Sequence, residues 1–232
     1  MKNIDIARKF KIDFRDLASL HSVCLGRTYV VQSRLEKIST SSPKSRVELN
    51  NCSIYFEDNK YDVQLLGFQN LQKVWIWGWN ETTDLPEELF DFANQIKDFS
   101  EVYFVDYARR TNYVPNEEGF IRDMTATMCS LFDDYVSIRV PAEKGGLYLA
   151  VKATEELLAK ADLETFIGIS NHCVKNVKMN HRLFFEGFLL WNETPYEYDG
   201  NAIIAKFDRD VRIEFEVKDK VFYAKRLEIL KK

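Results

Sequence analysis

The stretch Lys73-Val-Trp-Ile-Trp-Gly-Trp-Asn80 carries three tryptophans at alternate positions, Trp75, Trp77 and Trp79. Alternation is the period of a β-strand, so the pattern predicts that the three indoles project from one face of a sheet. Such a face either is buried beneath a helix or stacks on a sugar, a base or a cationic group. Burial is the first interpretation, because aromatic side chains are ordinary strand residues that bury large areas.

Short polar turns join the tryptophan strand to other strand-forming runs. Asp58-Asn-Lys60 and Asn70-Leu-Gln72 have the length and residue types of hairpin connections, which predicts antiparallel neighbours. The strands expected in this part of the chain are Arg46–Asn50 at an edge, Cys52–Glu57, Tyr61–Gln69 and Lys73–Asn80.

A helix is predicted to follow and to cover the indoles. Thr83 or Asp84 is the expected N-cap, and Pro86 stands in the first turn. Its expected buried stripe consists of Leu89, Phe92, Ile96 and Phe99.

The rest of the chain alternates between helical and strand periods. The predicted helices are 13–38, 117–132, 154–162 and 170–192. The first is expected to be capped by Asp13 and to end in a loop at 39–45. The predicted strands are 101–107, a hairpin of 135–141 with 147–152, and three closing strands, 202–208, 211–218 and 221–230. In the middle closing strand, Val211, Ile213, Phe215 and Val217 are expected to face inward.

Helices and strands in separate runs predict an α+β fold. We expect a single domain, 1–232, with a division between an N-terminal sheet–helix unit, 1–153, and a C-terminal helix with a three-stranded antiparallel sheet, 154–232. A curved sheet wrapped on a helix can form a hollow cone, as in nuclear-transport-factor-like folds. That analogy concerns the fold of the C-terminal half and implies no function.

Composition narrows the classes of partner. The chain has 232 residues, 46% of them hydrophobic and 29% charged, with a formal net charge of −4. This charge favours neither nucleic acid nor an anionic membrane. We find no signal-peptide pattern and no apolar run near the ~20 residues that cross a bilayer. Four cysteines without a Cys-x-x-Cys pair indicate reduced thiols, so a cytoplasmic protein is expected.

Few residues suggest catalysis. His172 and His181 are nine positions apart, near opposite faces of a helix, and His21 has no supporting ligand motif, so no metal is predicted. No nucleotide-binding or hydrolase motif occurs, and we assign no cofactor and no catalytic residue. Arg109-Arg110 is first interpreted as a pair of solvated surface charges, with binding of a carboxylate or phosphate as the alternative.

The chain resembles an uncharacterised bacterial family of unknown function. The resemblance rests on the leucine-rich Val63-Gln-Leu-Leu-Gly67, on Trp75-Ile-Trp-Gly-Trp-Asn80, on Leu85-Pro86, on Gly145-Gly146 and on Phe207-Asp208. It implies a bacterial, cytoplasmic setting and supplies no activity.

Two functional hypotheses follow. The first is a cytoplasmic, non-catalytic binding or interaction protein, with a homodimer as one candidate assembly. The alternative is an enzyme or small-ligand carrier whose pocket is lined by Trp75, Trp77 and Trp79, with Arg109 and Arg110 supplying charge.

Overall fold

The structure is a computed structural model that describes residues 2–42, 44–80, 84–115, 117–219 and 221–231. The described residues form eight α-helices: α1 (Asn3–Lys9), α2 (Leu17–Ser41), α3 (Asp91–Tyr103), α4 (Asp106–Arg109), α5 (Phe120–Phe132), α6 (Glu155–Leu158), α7 (Leu163–Asn176) and α8 (His181–Asn192). They also form eleven strands: β1 (Ser45–Glu48), β2 (Ser53–Phe56), β3 (Asn59–Asn70), β4 (Trp75–Trp77), β5 (Asn112–Tyr113), β6 (Tyr135–Ala142), β7 (Gly145–Lys152), β8 (Tyr196–Asp199), β9 (Ala202–Lys206), β10 (Asp210–Lys218) and β11 (Val221–Ile229). Helices combined with antiparallel sheets confirm the α+β class.

The chain divides into two compact units. Unit 1 comprises Met1–Val30 and Leu158–Lys232, and unit 2 comprises Val31–Leu157. Each unit contains one antiparallel sheet, and the boundaries between the units fall within α2 and α6.

Unit 2 is built on a seven-stranded sheet. Its strands follow the order β1-β2-β3-β4-β5, and β3 also pairs with β7, which pairs with β6. The predicted hairpins β2–β3, β3–β4 and β6–β7 are all present and antiparallel, so their turn chemistry was sufficient to identify them.

One face of this sheet carries both the tryptophans and two helices. Tyr148 of β7 lies opposite Arg139 of β6, and residues opposite one another share a face of the sheet. Because side chains alternate along a strand, Ser137 and Tyr135 are on the same face as Arg139 and therefore as Tyr148. Helix α5 contacts this face where the Ser137 Oγ donates to Thr125 Oγ1 at 3.0 Å. Helix α3 does so where the ring of Phe92 stacks on Tyr135 with centroids 4.3 Å apart. Helices α3 and α5 therefore cover the face on which Trp75 meets Tyr148.

Unit 1 combines α1, the first part of α2, α7 and α8 with a four-stranded sheet in the order β11-β10-β9-β8. Helices α2 and α8 meet at two glycines: a Cβ on Gly187 would lie 2.4 Å from the Val23 carbonyl oxygen, and a Cβ on Gly26 would lie 2.3 Å from Phe188. Since neither position has room for a side chain, the glycines set this close helix approach. The inward residues Val211, Ile213 and Phe215 are buried as predicted, but Val217 is 56% exposed, because the end of β10 projects beyond the core.

Several predicted boundaries were wrong. The predicted helix 170–192 is two helices, because Asn180 accepts from the Arg182 and Leu183 N–H groups and caps a new helix at His181. The predicted strand 101–107 is the last turn of α3 followed by α4, and its β-forming residues yield to tertiary packing.

Helix α2, predicted as 13–38, also begins later than predicted. It starts at Leu17 rather than Asp13, with the Asp16 carboxylate accepting from the Ser19 N–H at 3.1 Å, and it continues through Ser41. Asp13 binds Arg15 instead, which lowers the pKa of the Asp13 carboxyl to about 2. The 86–99 helix is a 3₁₀ turn, Glu87–Phe90, followed by α3; the proposed cap Thr83 lies outside the described residues.

Candidate functional site

The row of tryptophans lies at the centre of unit 2. Trp75 and Trp77 are in β4 and are both 0% exposed, whereas Trp79 is half-buried in a 3₁₀ turn, Gly78–Asn80, rather than in the predicted strand. Trp75 meets Trp77 edge-on at 5.1 Å, and Trp77 stacks on Trp79 at 4.5 Å. The three indoles therefore form one continuous aromatic cluster, two members of which are sealed from solvent.

Two glycines make room for this cluster. A Cβ on Gly67 would lie 2.8 Å from Cζ2 of Trp75 and 2.3 Å from the Ile76 carbonyl oxygen. A Cβ on Gly78 would lie 2.6 Å from the Leu65 carbonyl oxygen. Gly67, within β3, and Gly78, between the tryptophans, are thus packing requirements of the same cluster.

The indole N–H groups of this cluster are not satisfied by the described part of the chain. The Nε1 atoms of Trp75, Trp77 and Trp79 are all buried and meet no hydrogen-bond acceptor there. A buried donor without a partner costs about 1–3 kcal/mol. Three such indole N–H groups in one cluster offset part of the stability that burial of the aromatic rings provides.

Arg109 and Arg110 lie next to this cluster along the sheet. The backbone N–H of Trp77 donates to the Thr111 carbonyl at 3.3 Å, and β5 then pairs Ile76 with Asn112. Arg109 is the last residue of α4 and Arg110 follows it, so the arginines precede in sequence the strand that pairs with β4. Their environments differ, however, because Arg110 is exposed while Trp75 and Trp77 are buried.

Arg109 is held by two neighbours. Its Nη2 donates to Asp106 Oδ1 at 2.8 Å, and its guanidinium lies 5.8 Å from the centroid of the Phe104 ring. No ion pair to Arg110 is found among the described side chains. A binding role for Arg109 and Arg110 stays a prediction.

Phe104 is the residue that sequence reasoning missed. It terminates α3 in the left-handed region, with φ 56°, and its side chain is 64% exposed. Left-handed backbone disfavours a bulky residue, and a glycine would serve this helix end better. Val102 and Val114 are also exposed, at 68% and 59%. We call Val102, Phe104, Arg109, Arg110 and Val114 the 102–114 surface.

Two side chains of types that can act as nucleophile or base, Cys173 and His181, are tied into packing. Cys173 is buried, and burial raises the pKa of its thiol to about 12. His181 is 7% exposed, its Nδ1 accepts the Ala224 N–H at 2.9 Å, and burial lowers the pKa of its imidazole. No group of three or more His, Cys, Asp or Glu side chains is placed to hold a metal ion among the described residues.

A surface groove of about 750 Å³ lies in unit 1. Its lining includes Phe10 at the end of α1, Leu189 and Leu190 of α8, and Tyr196 and Tyr198 of β8. The Tyr198 hydroxyl donates to the buried Glu186 carboxylate at 3.0 Å, which orients that ring. Strand β8 was not predicted, and the alternation Tyr196-Glu-Tyr-Asp199 is the signal that marks it.

The described residues form an α+β protein with antiparallel sheets. The family model of DUF6882, a family of unknown function, matches residues 18–154, and the chain belongs to this family. This confirms the resemblance to a family of unknown function and places the tryptophan row within the matched segment. No curated protein and no solved structure matches the chain. None of the described helices is both long and apolar enough to cross a membrane.

Proposed function

We propose that this protein is a non-catalytic, cytoplasmic binding protein that engages another protein through the 102–114 surface. The observation that carries the proposal is Phe104, an aromatic side chain that a left-handed backbone directs into solvent beneath an arginine. The left-handed backbone at this bulky residue lowers the stability of the free chain, and unfavourable local geometry of this kind is concentrated at functional sites.

The chemistry of the surface supports binding rather than reaction. Phe and Arg are enriched at protein interfaces, where they anchor the partner. A guanidinium stays protonated throughout the physiological range, and a phenyl ring has no proton to transfer. Asp106, the carboxylate in contact with Arg109, is already engaged in an ion pair. These groups therefore recognise a partner without acting as acid or base.

The test is affinity capture from cells that express the chain, with wild-type protein and Phe104→Ser side by side. We expect a partner that the wild type retains and the variant loses, while both proteins show the same thermal unfolding. Val217→Ser is a matched control, since Val217 is exposed to a similar degree in a different part of the chain. Equal capture by the wild type and Phe104→Ser contradicts the proposal.

A small-ligand carrier, or an enzyme, built on the tryptophan row is the second candidate. The observation in its favour is the set of three buried indole N–H groups that meet no acceptor in the described chain. A ligand that accepts hydrogen bonds would satisfy them. A thermal-shift screen with metabolites tests it: a ligand on this cluster raises the melting temperature of the wild type and loses that effect in Trp77→Phe, which lacks one donor.

A further inference from the structure

The outer edge of β8 presents backbone groups that the sheet does not use. The Lys206 N–H donates to the Pro195 carbonyl at 2.8 Å, so Pro195 and Lys206 form a hydrogen-bonded pair. This pair lies next to the first pair of β8 and β9, Tyr196 with Ala205. Hydrogen-bonded and non-hydrogen-bonded pairs alternate in an antiparallel ladder. Tyr196 and Tyr198 therefore occupy non-hydrogen-bonded pairs, and their N–H and C=O groups point away from β9. Within the described chain, β8 pairs only with β9.

The groove in unit 1 runs alongside this edge. The side chains of Tyr196 and Tyr198 line it from the strand, and Leu189 and Leu190 line it from α8. A strand added to β8 would place every second side chain on the face of these tyrosines, over the groove, because residues opposite one another share a face. The groove is mostly apolar, and its polar lining residues are Lys9, Glu193 and Thr194. An open strand edge beside such a groove is the arrangement through which some domains bind extended peptides.

The other face of β8 is acidic, so its charge determines which peptide side chains bind opposite it. It carries Glu197 and Asp199, whose side chains are 63% and 62% exposed. Glu197 and Asp210 share Lys206, and Asp199 and Glu214 share Arg212, so four carboxylates are matched by two cations. The excess of negative charge favours basic side chains on an incoming strand.

We propose that β8 and the adjoining groove form a docking site for an extended peptide of alternating apolar and basic residues, added antiparallel to β8. Apolar side chains opposite Tyr196 and Tyr198 enter the groove, and lysines or arginines lie opposite Glu197 and Asp199. The peptide exchanges main-chain hydrogen bonds with both tyrosines. This site is separate from the 102–114 surface and does not depend on the function proposed for it.

The first test uses the full wild-type chain and the peptide acetyl-Gly-Lys-Val-Lys-Val-Lys-Gly-amide, with affinity measured by calorimetry. In the proposed register the valine N–H groups donate to the tyrosine carbonyls, whereas the lysine N–H groups point outward. N-methylation of both valines should weaken binding at least about tenfold, and N-methylation of two lysines should leave it nearly unchanged. Replacing the lysines with glutamates should also weaken binding.

The second test changes the protein. Tyr198→Ala and Tyr198→Pro both remove the ring and its bond to Glu186, but only proline removes the outward N–H. The proline variant should bind the peptide about tenfold more weakly than the alanine variant. Proline is tolerated on an edge strand where its N–H is unused by the ladder, and thermal unfolding of both variants checks this point.

The outcomes are decisive in either direction. Sensitivity to N-methylated valines, preference for the basic peptide and retained binding by Phe104→Ser all support the docking site. No binding of the basic peptide, equal effects of the two N-methylated peptides, or equal affinity for the acidic peptide overturns it. The N-methylated peptides decide the question even if Tyr198→Pro is unstable, because they leave the protein unchanged.

Discussion

Replacing Trp77 with phenylalanine and with alanine tests how the tryptophan cluster contributes to stability. Trp77 is fully buried between Trp75 and Trp79. Alanine removes the ring and leaves a cavity, which typically costs 3–5 kcal/mol for a buried Trp or Phe. Phenylalanine keeps one ring and loses roughly 40 Å² of buried surface, about 1 kcal/mol.

Phenylalanine also removes a buried indole N–H that meets no acceptor in the described residues. Relief of that donor returns about 1–3 kcal/mol. Together these two effects make Trp77→Phe between equal in stability to the wild type and about 2 kcal/mol more stable, and Trp77→Ala several kcal/mol less stable than Trp77→Phe. Urea denaturation followed by far-ultraviolet circular dichroism measures both free energies of unfolding. A loss of 3 kcal/mol or more in Trp77→Phe refutes the reasoning, since it requires a strong acceptor for that N–H.

Three further predictions concern other parts of the molecule. The thiol reagent DTNB should label Cys52 in the folded protein. It should label Cys24, Cys129 and Cys173 only after denaturation, because these three are buried. Rapid labelling of Cys173 in the folded protein would contradict the burial that raises the pKa of its thiol to about 12. Burial lowers the pKa of His181 below its ordinary value of 6.5, so the neutral imidazole favours the folded state. Its contribution to stability is complete above pH 6.5 and is lost as the pH falls below that value, a dependence that His181→Gln should remove in urea titrations at several pH values. Gly187→Ala should destabilise the protein, because its Cβ would lie 2.4 Å from the Val23 carbonyl oxygen. Gly168→Ala should stabilise α7 by about 0.5–1 kcal/mol, because no atom lies within 4 Å of its Cβ. Equal melting temperatures for the two variants would contradict this.

The sequence was informative where local chemistry and tertiary packing agree. The alternating tryptophans and the polar turns predicted the β2–β3–β4 meander, and Gly145-Gly146 predicted the β6–β7 hairpin. In each case one residue pattern sets both the strand period and the position of the turn.

The sequence was misleading where tertiary contacts determine the local structure. Val105 belongs to a β-forming run, yet it is 0% exposed and follows a helix end that Phe104 closes with a positive φ. The break between α7 and α8 depends on the side chain of Asn180, which lies within an otherwise apolar helical period. Neither event leaves a periodic signal in the sequence.

The candidate site was predictable only in part. Trp75, Trp77, Trp79 and the arginine pair stand out as residue types, but only Trp75 and Trp77 lie in a strand, while Arg109 ends α4 shortly before the strand that pairs with β4. Phe104 could not be identified in the same way, because its exposure follows from its backbone conformation and one Phe among 17 carries no distinguishing mark.

The central claim is that the tryptophan row is a structural core of unit 2 and that binding takes place at the surface. Intrinsic fluorescence measured against a metabolite library tests this most directly, because three of the chain's four tryptophans belong to the row. We expect emission that is already blue-shifted and that no metabolite changes. A saturable change in emission with one ligand, abolished in Trp77→Phe, would contradict the claim and make the row a binding pocket.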